Sequence, residues 1–429
     1  MGLGLLGRGV GDAAFLAECG AELIVTDKKT EKELAESVGK LKKYKNITFH
    51  LGGHDLNDFT NADLVIKAAG VPLDSKEIAA ARAADVEVAV STALFAKYAV
   101  EAGATLVGVT GTRGKTTVVH MTYHCLKNGP KTALLGGNVR GVSTLAMLPH
   151  VKKGTIVVLE LDSWQLQGFG DLKLSPHIAV FTNLMPDHQN YYKSMDEYFA
   201  DKANIFRFQK SGDVLLVGAS VADSIRAASP PLDPIVPERI PKSWKLRILG
   251  EHNRENASLA TSALEALGLS ESEIQRGLES FEPVEGRLQF VRGFNGTNIY
   301  NDNNATTPEA TIAALRALGK NTTLIVGGSE KGLPLEKLVS GIKKNVSHVV
   351  LLTHPNYKGS ERLASELKKA KIAYEEVFDL EEALEAALSH TRKGTVLFSP
   401  AFASFGMFKN EYERNDQFLA LVRKMGGAA

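Results

Sequence analysis

Thr110-Gly111-Thr112-Arg113-Gly114-Lys115-Thr116-Thr117 follows the apolar run Ala104 to Val109 and precedes a helical pattern from Val118 to Lys127. Glycines at 111 and 114 let backbone N–H groups approach an anion. Lys115 can neutralise outer phosphate oxygens, the Thr116 hydroxyl suits magnesium, and the helix N-terminus adds its positive dipole. A complete Walker sequence has glycine where this chain has Val109, so the segment reads as a variant phosphate loop between a strand and a helix.

Composition bounds the rest. A chain of 429 residues carries a soft expectation of about three domains at roughly 150 residues each. A formal net charge of +1 and a pI of about 7.8 disfavour nucleic acid or an anionic membrane as the main partner. Cys19 and Cys125 have neither pairing nor metal spacing, and both fall in patterns that look like buried helix faces. They read as reduced core residues of a cytoplasmic protein. The N-terminus lacks the charged and apolar regions of a leader, and no apolar run approaches the roughly 20 residues needed to span a bilayer. The expectation is a soluble monomer.

Outward from the loop, apolar strand-like runs alternate with longer helical patterns, which predicts α/β architecture with parallel sheets. The first unit opens with a strand over Gly2 to Leu6, the turn Gly7-Arg8-Gly9-Val10-Gly11, a helix to Cys19, a strand Ala21 to Val25 and an acid at Asp27. This is half of a dinucleotide fingerprint, because Asp12 stands where the last glycine belongs. It leaves a Rossmann-like domain that binds some nucleotide or none. Lys28 and Lys29 could meet a diphosphate or form a solvated charge run. Strands Leu64 to Ala68 and Val86 to Val90 complete a domain ending near Ala99.

The second unit holds the loop, a strand Thr132 to Leu135 with Gly136-Gly137-Asn138, and a strand Thr155 to Leu159 ending in Glu160. A carboxylate at the C-terminal end of a buried parallel strand faces ligand in such sheets, which makes Glu160 a magnesium candidate. The next strand, His177 to Phe181, ends in Thr182-Asn183-Leu184-Met185-Pro186-Asp187-His188, a polar cluster expected beside Glu160. That placement gives His188 weight as a functional histidine. His120 and His124 lack the glutamate of a metalloprotease helix and read as ordinary helix residues.

TGTRGKTT, LELDSWQL, TNLMPDHQNYYKSMDEYFADKANIF, ILGEHNRENASLA and SPAFASFGMFKNEYERNDQF occur in that order. Together they resemble the Mur ligases, ATP-dependent amide-forming enzymes of peptidoglycan precursor synthesis, and among these the members that add D-glutamate. The resemblance implies three domains: a Rossmann-like UDP-substrate domain over 1–99, a phosphate-loop ATPase domain over 100–283, and a Rossmann-like amino-acid domain over 284–429. Strands Thr323 to Val326, Val349 to Leu352 and Thr395 to Phe398, with a helix Leu380 to Leu388, agree with the third.

The same resemblance implies roles. ATP would meet Gly111, Thr112, Arg113, Gly114, Lys115, Thr116, Thr117, Asn256, Arg287 and Asp302. Lys115, Glu160, His188 and Lys202 would be catalytic. Thr116 and Glu160 would hold one magnesium, and His188 with a carbamylated Lys202 a second. Gly9, Asp27, Lys28, Gly70 and Asn138 would serve the UDP substrate, UDP-N-acetylmuramoyl-L-alanine, while Thr306, Lys331, Ser404 and Phe405 would serve D-glutamate. The implied chemistry activates a carboxylate as an acyl phosphate, which the amine then attacks.

The chain departs from the family pattern at five places. It has Gly286 for the histidine before Arg287, Asn304 for a lysine, Gly406 for an aspartate, Gln189-Asn190 after His188, and Ala68-Ala69-Gly70 for Ser-Pro-Gly. Two alternatives stay open at this point: another ligase of the superfamily, such as a poly-γ-glutamate synthetase, or a nucleotide-binding protein that has lost catalysis.

Overall fold

The structure, a computed structural model, describes residues 1–5, 7–129, 131–187 and 191–425. The chain divides into two compact units, Met1–Pro241 with Glu255–Leu278, and Lys242–Arg254 with Glu279–Ala429.

Four strands open the first unit: β1 (Leu23–Asp27), β2 (Ile47–Leu51), β3 (Leu64–Lys67) and β4 (Glu87–Val90). They pair in parallel as β1-β2 and β3-β4. The strand expected over Gly2 to Leu6 does not form a ladder in its described part. Gly2 N–H bonds Thr26 O at 2.8 Å, while the Met1 terminus and carbonyl bond Ile66 O and Ala68 N–H, both at 2.9 Å. The segment thus tethers both strand pairs, but Gly2 and Gly4 adopt φ of 82° and 67°. Alternating left-handed residues break the pleat that a strand requires. Leu6 lies outside the described residues.

The second sheet of this unit is β5 (Thr105–Thr110), β6 (Ala133–Gly137), β7 (Ile156–Glu160), β8 (Ile178–Phe181) and β9 (Val214–Val217), in the order β6-β7-β5-β8-β9. All neighbours are parallel. β7 and β8 are buried at every residue, as expected where helices cover both faces. Helix Ser91–Glu101 contributes Ala93, Phe95, Ala96 and Ala99 to the core of this sheet, against Phe169 and Leu166 of helix Ser163–Asp171. A Gln165 Nε2–H bond to Thr92 Oγ1 of 2.9 Å joins the two helices.

In the second unit, β10 (Gln289–Phe294), β11 (Thr297–Asn301), β12 (Thr322–Val326), β13 (Val346–Leu352), β14 (Glu375–Val377) and β15 (Gly394–Phe398) form one sheet ordered β10-β11-β15-β12-β13-β14. Only the β10–β11 hairpin is antiparallel. Separate apolar clusters, one around Leu324, Leu351 and Leu397 and one around Ile325, Val350 and Phe398, line the two faces.

The cysteine reading holds for one residue only. Cys125 is buried, and burial pushes its thiol up to about 12. Cys19 is exposed, because helix Arg8–Glu18 ends one residue before it. Phe169 has no exposed surface, and Phe169→Ala should lower unfolding stability by about 3–5 kcal/mol. Urea titration of the full chain would check this through a shifted midpoint.

Candidate active site

β5 delivers the phosphate loop, and the loop is stitched to the strand ends on both sides. On one side Thr110 Oγ1–H donates to Leu161 O at 2.8 Å, and Glu160 lies in register with Val109. On the other, Thr112 N–H bonds Asn183 O and Arg113 N–H bonds Asn183 Oδ1, both at 2.9 Å, while Met185 N–H meets Thr112 Oγ1 at 2.9 Å. The cluster after β8 therefore shares the C-terminal sheet edge with Glu160 but does not sit next to it. β5 runs between them, since β7 and β8 flank it. His188 lies outside the described residues, as do Gln189 and Asn190.

Backbone shape makes the loop. Gly111 has φ 134°, and a Cβ there would fall 2.0 Å from Thr182 Oγ1. Gly114 caps helix Lys115–Lys127 with φ 83°, and its Cβ would fall 2.4 Å from Asn256 Oδ1. The tertiary fold thus brings Asn256 against the loop although 142 positions separate them by number (256 − 114). Lys115 Nζ donates to Gly111 O at 3.0 Å and Thr112 O at 3.1 Å. Arg113 reaches Asp187, 3.9 Å away. Thr116 and Thr117 open the helix.

Lys202 lies beneath the loop on helix Met195–Arg207, which Ser194 caps. Its Nζ donates to Gly111 O at 3.0 Å and Thr110 Oγ1 at 3.4 Å and sits 4.7 Å from the centre of the Tyr198 ring. Burial, reinforced by the charge of Lys115 and opposed by Asp162, Asp187 and Glu160, holds its pKa far below the ordinary lysine range. Glu160 is buried at the end of β7, and its carbonyl accepts the Asn138 N–H at 2.7 Å.

The candidates for the UDP substrate divide by role. Asn138 Oδ1 accepts from Arg8 Nη1 at 2.8 Å, which joins the first glycine turn to the end of β6. A Cβ on Gly9 would fall 2.4 Å from Leu3 O, so this glycine permits a close backbone approach. Both Asp27 oxygens accept backbone N–H groups, from Gly4 at 3.0 Å and Lys29 at 2.9 Å. Lys28 and Gly70 are exposed. Sequence reasoning passed over Arg8, although an arginine inside a glycine turn was a visible signal. It also passed over Lys67, which is buried below the Ala68-Ala69-Gly70 turn. Its Nζ donates to Ala69 O at 3.3 Å and Val71 O at 3.0 Å, and burial, partly offset by Asp171 and Asp162, lowers its pKa to about 8.

In the second unit, Lys331 Nζ meets Thr306 Oγ1 at 3.3 Å. An antiparallel bridge joins Ser329 to Ala403, and Ser329 Oγ–H donates to Phe405 O. Tyr357 O–H bonds the carbonyl of buried Ser404 at 3.2 Å, and the Phe405 ring is exposed. Asp302 accepts from Leu288 N–H at 3.0 Å and Ser399 Oγ–H at 2.8 Å, next to half-buried Arg287. Arg414 is wholly buried. It donates to Asn303 Oδ1 at 2.8 Å, Asn303 O at 2.9 Å and Phe402 O at 3.3 Å.

Two departures from the family pattern meet each other. Asn304 N–H bonds Gly286 O at 2.9 Å, and a Cβ on Gly286, at φ 72°, would lie 3.1 Å from Asn304 Nδ2. A side chain at 286 would therefore press on Asn304 and on Asn415, whose Oδ1 lies 3.0 Å from that Cβ. Gly406 stands at φ 109°, where a side chain would also be strained.

A variant phosphate loop on a five-stranded parallel sheet, with a buried acid at the end of the flanking strand and a buried lysine bonded to the loop, defines an α/β protein built to bind a nucleotide. The three regions match the MurD-like N-terminal domain of the Mur ligases (residues 1–90), the Mur ligase middle domain (109–230) and the Mur ligase glutamate ligase domain (286–402). The chain is 34% identical to the UDP-N-acetylmuramoylalanine–D-glutamate ligase of Roseiflexus sp. (strain RS-1), over 98% of this chain and 97% of that protein. It is 33% identical to the enzyme of the same name from Borreliella burgdorferi (strain ZS7), over 99% and 97%. The chain belongs to the Mur ligase family. Among solved structures it is similar in fold to UDP-N-acetylmuramate-alanine ligase MurC of Thermotoga maritima (TM-score 0.64, 20% identity, 97% of this chain and 98% of that one). It is likewise similar to MurF ligase of Thermotoga maritima in complex with ADP (TM-score 0.61, 17% identity, 94% of each chain).

Two substitutions test the geometry. Gly114→Ala combines a left-handed φ with the collision at Asn256, and should weaken ATP binding by about tenfold or more while the protein stays folded. Calorimetric titration with ATP, beside a circular dichroism spectrum, checks it. Gly286→His should destabilise the second unit by about 1–3 kcal/mol, and adding Asn304→Ala should recover part of that loss. A double-mutant cycle on denaturation midpoints reads the coupling.

Proposed function

We propose that this chain is an ATP-dependent ligase that joins D-glutamate to UDP-N-acetylmuramoyl-L-alanine in peptidoglycan precursor synthesis. The observation that carries the reading is full-length similarity to ligases of that name, together with a phosphate loop held between the ends of β7 and β8. The UDP substrate is assigned to region 1–99, ATP to 100–283 and the amino acid to 284–429.

The terminal carboxylate of the acceptor attacks the γ-phosphorus of ATP, forming a carboxyl–phosphate bond as ADP leaves. The amine of D-glutamate then attacks the carbonyl carbon, inorganic phosphate departs, and one proton is lost as the amide forms. Lys115 and the N–H groups of Gly111 to Thr117 bind the phosphates and balance the charge that moves with the phosphoryl group. Asn256 is assigned to adenine, and Arg287 and Asp302 to further ATP contacts. Arg8 joins Gly9, Asp27, Lys28, Gly70 and Asn138 around the UDP moiety. Lys331 and Thr306 receive an acidic group of D-glutamate by charge-assisted hydrogen bonding, beside Ser404 and Phe405.

Thr116, Glu160, His188 and a carbamylated Lys202 are assigned to two magnesium sites, a donor set mostly of hard oxygens once the lysine carries a carbamate. Magnesium there would supply positive charge near the transferring phosphoryl group. The depressed pKa of Lys202 supports the modification. A neutral amine can attack carbon dioxide, forming an N–C bond and releasing one proton, whereas an ammonium cannot. The chain acts as a cytoplasmic monomer on small molecules, without nucleic acid or membrane. Its near-neutral charge supports the exclusion of nucleic acid from that set; no helix among the described residues is long and apolar enough to cross a membrane.

Phosphate release from ATP should require magnesium, UDP-N-acetylmuramoyl-L-alanine and D-glutamate together, with an amide product confirmed by mass. Turnover only with L-glutamate or another acceptor would leave the ligase chemistry and overturn the named substrates. Lys115→Ala should fold and lose turnover. Native mass spectrometry in bicarbonate should find one added carbon dioxide, lost on acidification and absent in Lys202→Arg; an unmodified parent under those conditions would remove the carbamate.

A further inference from the structure

β13, β14 and the end of helix Leu380–Ser389 bring together three side chains that the ligase chemistry does not use. His348 stands on β13, Glu375 opens the three-residue edge strand β14, and His390 is the C-cap of the helix. The imidazole rings stack with centroids 3.6 Å apart at 20°. Both present Nε2 to one carboxylate oxygen: His390 lies 3.0 Å and His348 3.6 Å from Glu375 Oε2. All three ligand atoms fall within 4.8 Å of one another.

The two Nε2–Oε2 separations are those of neighbouring ligands on one ion, and a turn of the stacked rings about their side-chain bonds is what brings both nitrogen lone pairs onto it. Zinc bound at about 2.0–2.2 Å in a tetrahedral site holds neighbouring ligand atoms about 3.4 Å apart. The Nε2 of His348 is shielded from solvent and makes no hydrogen bond among the described residues. A buried polar atom left without a partner incurs a desolvation penalty that coordination to a cation would offset. Burial first, and then the neighbouring His390, hold His348 below the ordinary histidine range, with Glu375 opposing. The helix C-terminus beside His390 also places the negative end of its dipole toward a cation.

We propose that His348, Glu375 and His390 form a divalent transition-metal site of the zinc class, which clips the edge strand β14 to β13 and to the end of helix Leu380–Ser389. Two imidazoles and one carboxylate favour zinc, nickel or copper over magnesium or calcium, which prefer oxygen donors. Glu375 pairs in register with Val350 in a strand of only three residues, so a metal bridge adds a fixed point to the weakest edge of the sheet. The site is independent of the phosphate loop and of the assignment of substrates.

The test uses the full chain, stripped with chelator and titrated with zinc ion in excess magnesium. The parent should take up one equivalent more than His390→Ala, a variant at an exposed position whose unmetallated melting temperature should match that of the parent. Glu375→Gln should weaken that equivalent roughly tenfold or more. Cobalt ion should give the visible absorption of a low-symmetry nitrogen–oxygen site in the parent and not in His390→Ala. Equal zinc uptake by parent and His390→Ala, or none by the parent, would overturn the proposal.

Discussion

The position of β5 between β7 and β8 governs the nucleotide end of the molecule. A parallel strand with parallel neighbours on both sides sends three loops from one edge, and the middle loop can be held from either flank. Here the holding is done by Leu161 O on one flank and by Asn183 and Met185 on the other. Glu160 is carried to the loop by the register of β7, and Asn138 by its bond to the Glu160 carbonyl. The loop is fixed at both sides, by the Thr110 hydroxyl on one flank and by the Thr112 and Arg113 N–H groups with the Thr112 hydroxyl on the other.

Buried basic side chains then secure the turns that leave the strand ends. Lys202 bonds Gly111 O, Lys67 bonds Ala69 O and Val71 O, and Arg414 bonds Asn303 O and Phe402 O. Each carries a polar head into low-dielectric surroundings, where it is tolerated only with hydrogen-bond partners. Burial is the largest cause of the lowered pKa in all three, reaching about 8 for Lys67 and about 10 for Arg414. For the lysines this means a fraction of neutral amine near physiological pH that an exposed lysine lacks. Arginine stays charged and acts as a clamp between Asn303 and the Ser399-to-Ser404 segment.

Several features were legible from residues alone for physical reasons. Short apolar runs rich in β-branched residues, too short for a helix and alternating with longer helical patterns, fit buried parallel strands, so β5, β7, β8 and β12 were readable. The loop motif was readable because phosphate binding demands glycine and lysine at fixed spacing. Cys19 was misplaced because helical periodicity does not say where the helix stops. The first strand was misplaced because Gly2 and Gly4 have no side chains to report their left-handed conformation.

The sequence by itself determined the local pattern: the glycine–lysine loop, the acid that ends an apolar strand and the order of motifs that carries the family resemblance, through which alone Lys202 drew notice. These depend on short-range spacing, which a chain carries without folding. Only the tertiary structure decided which distant residues share a place. It set Asn256 against Gly114, Arg8 against Asn138, Gly286 against Asn304, and His348 and His390 about one carboxylate. Strand order and register bring such pairs together, and both follow from the packing of the whole sheet.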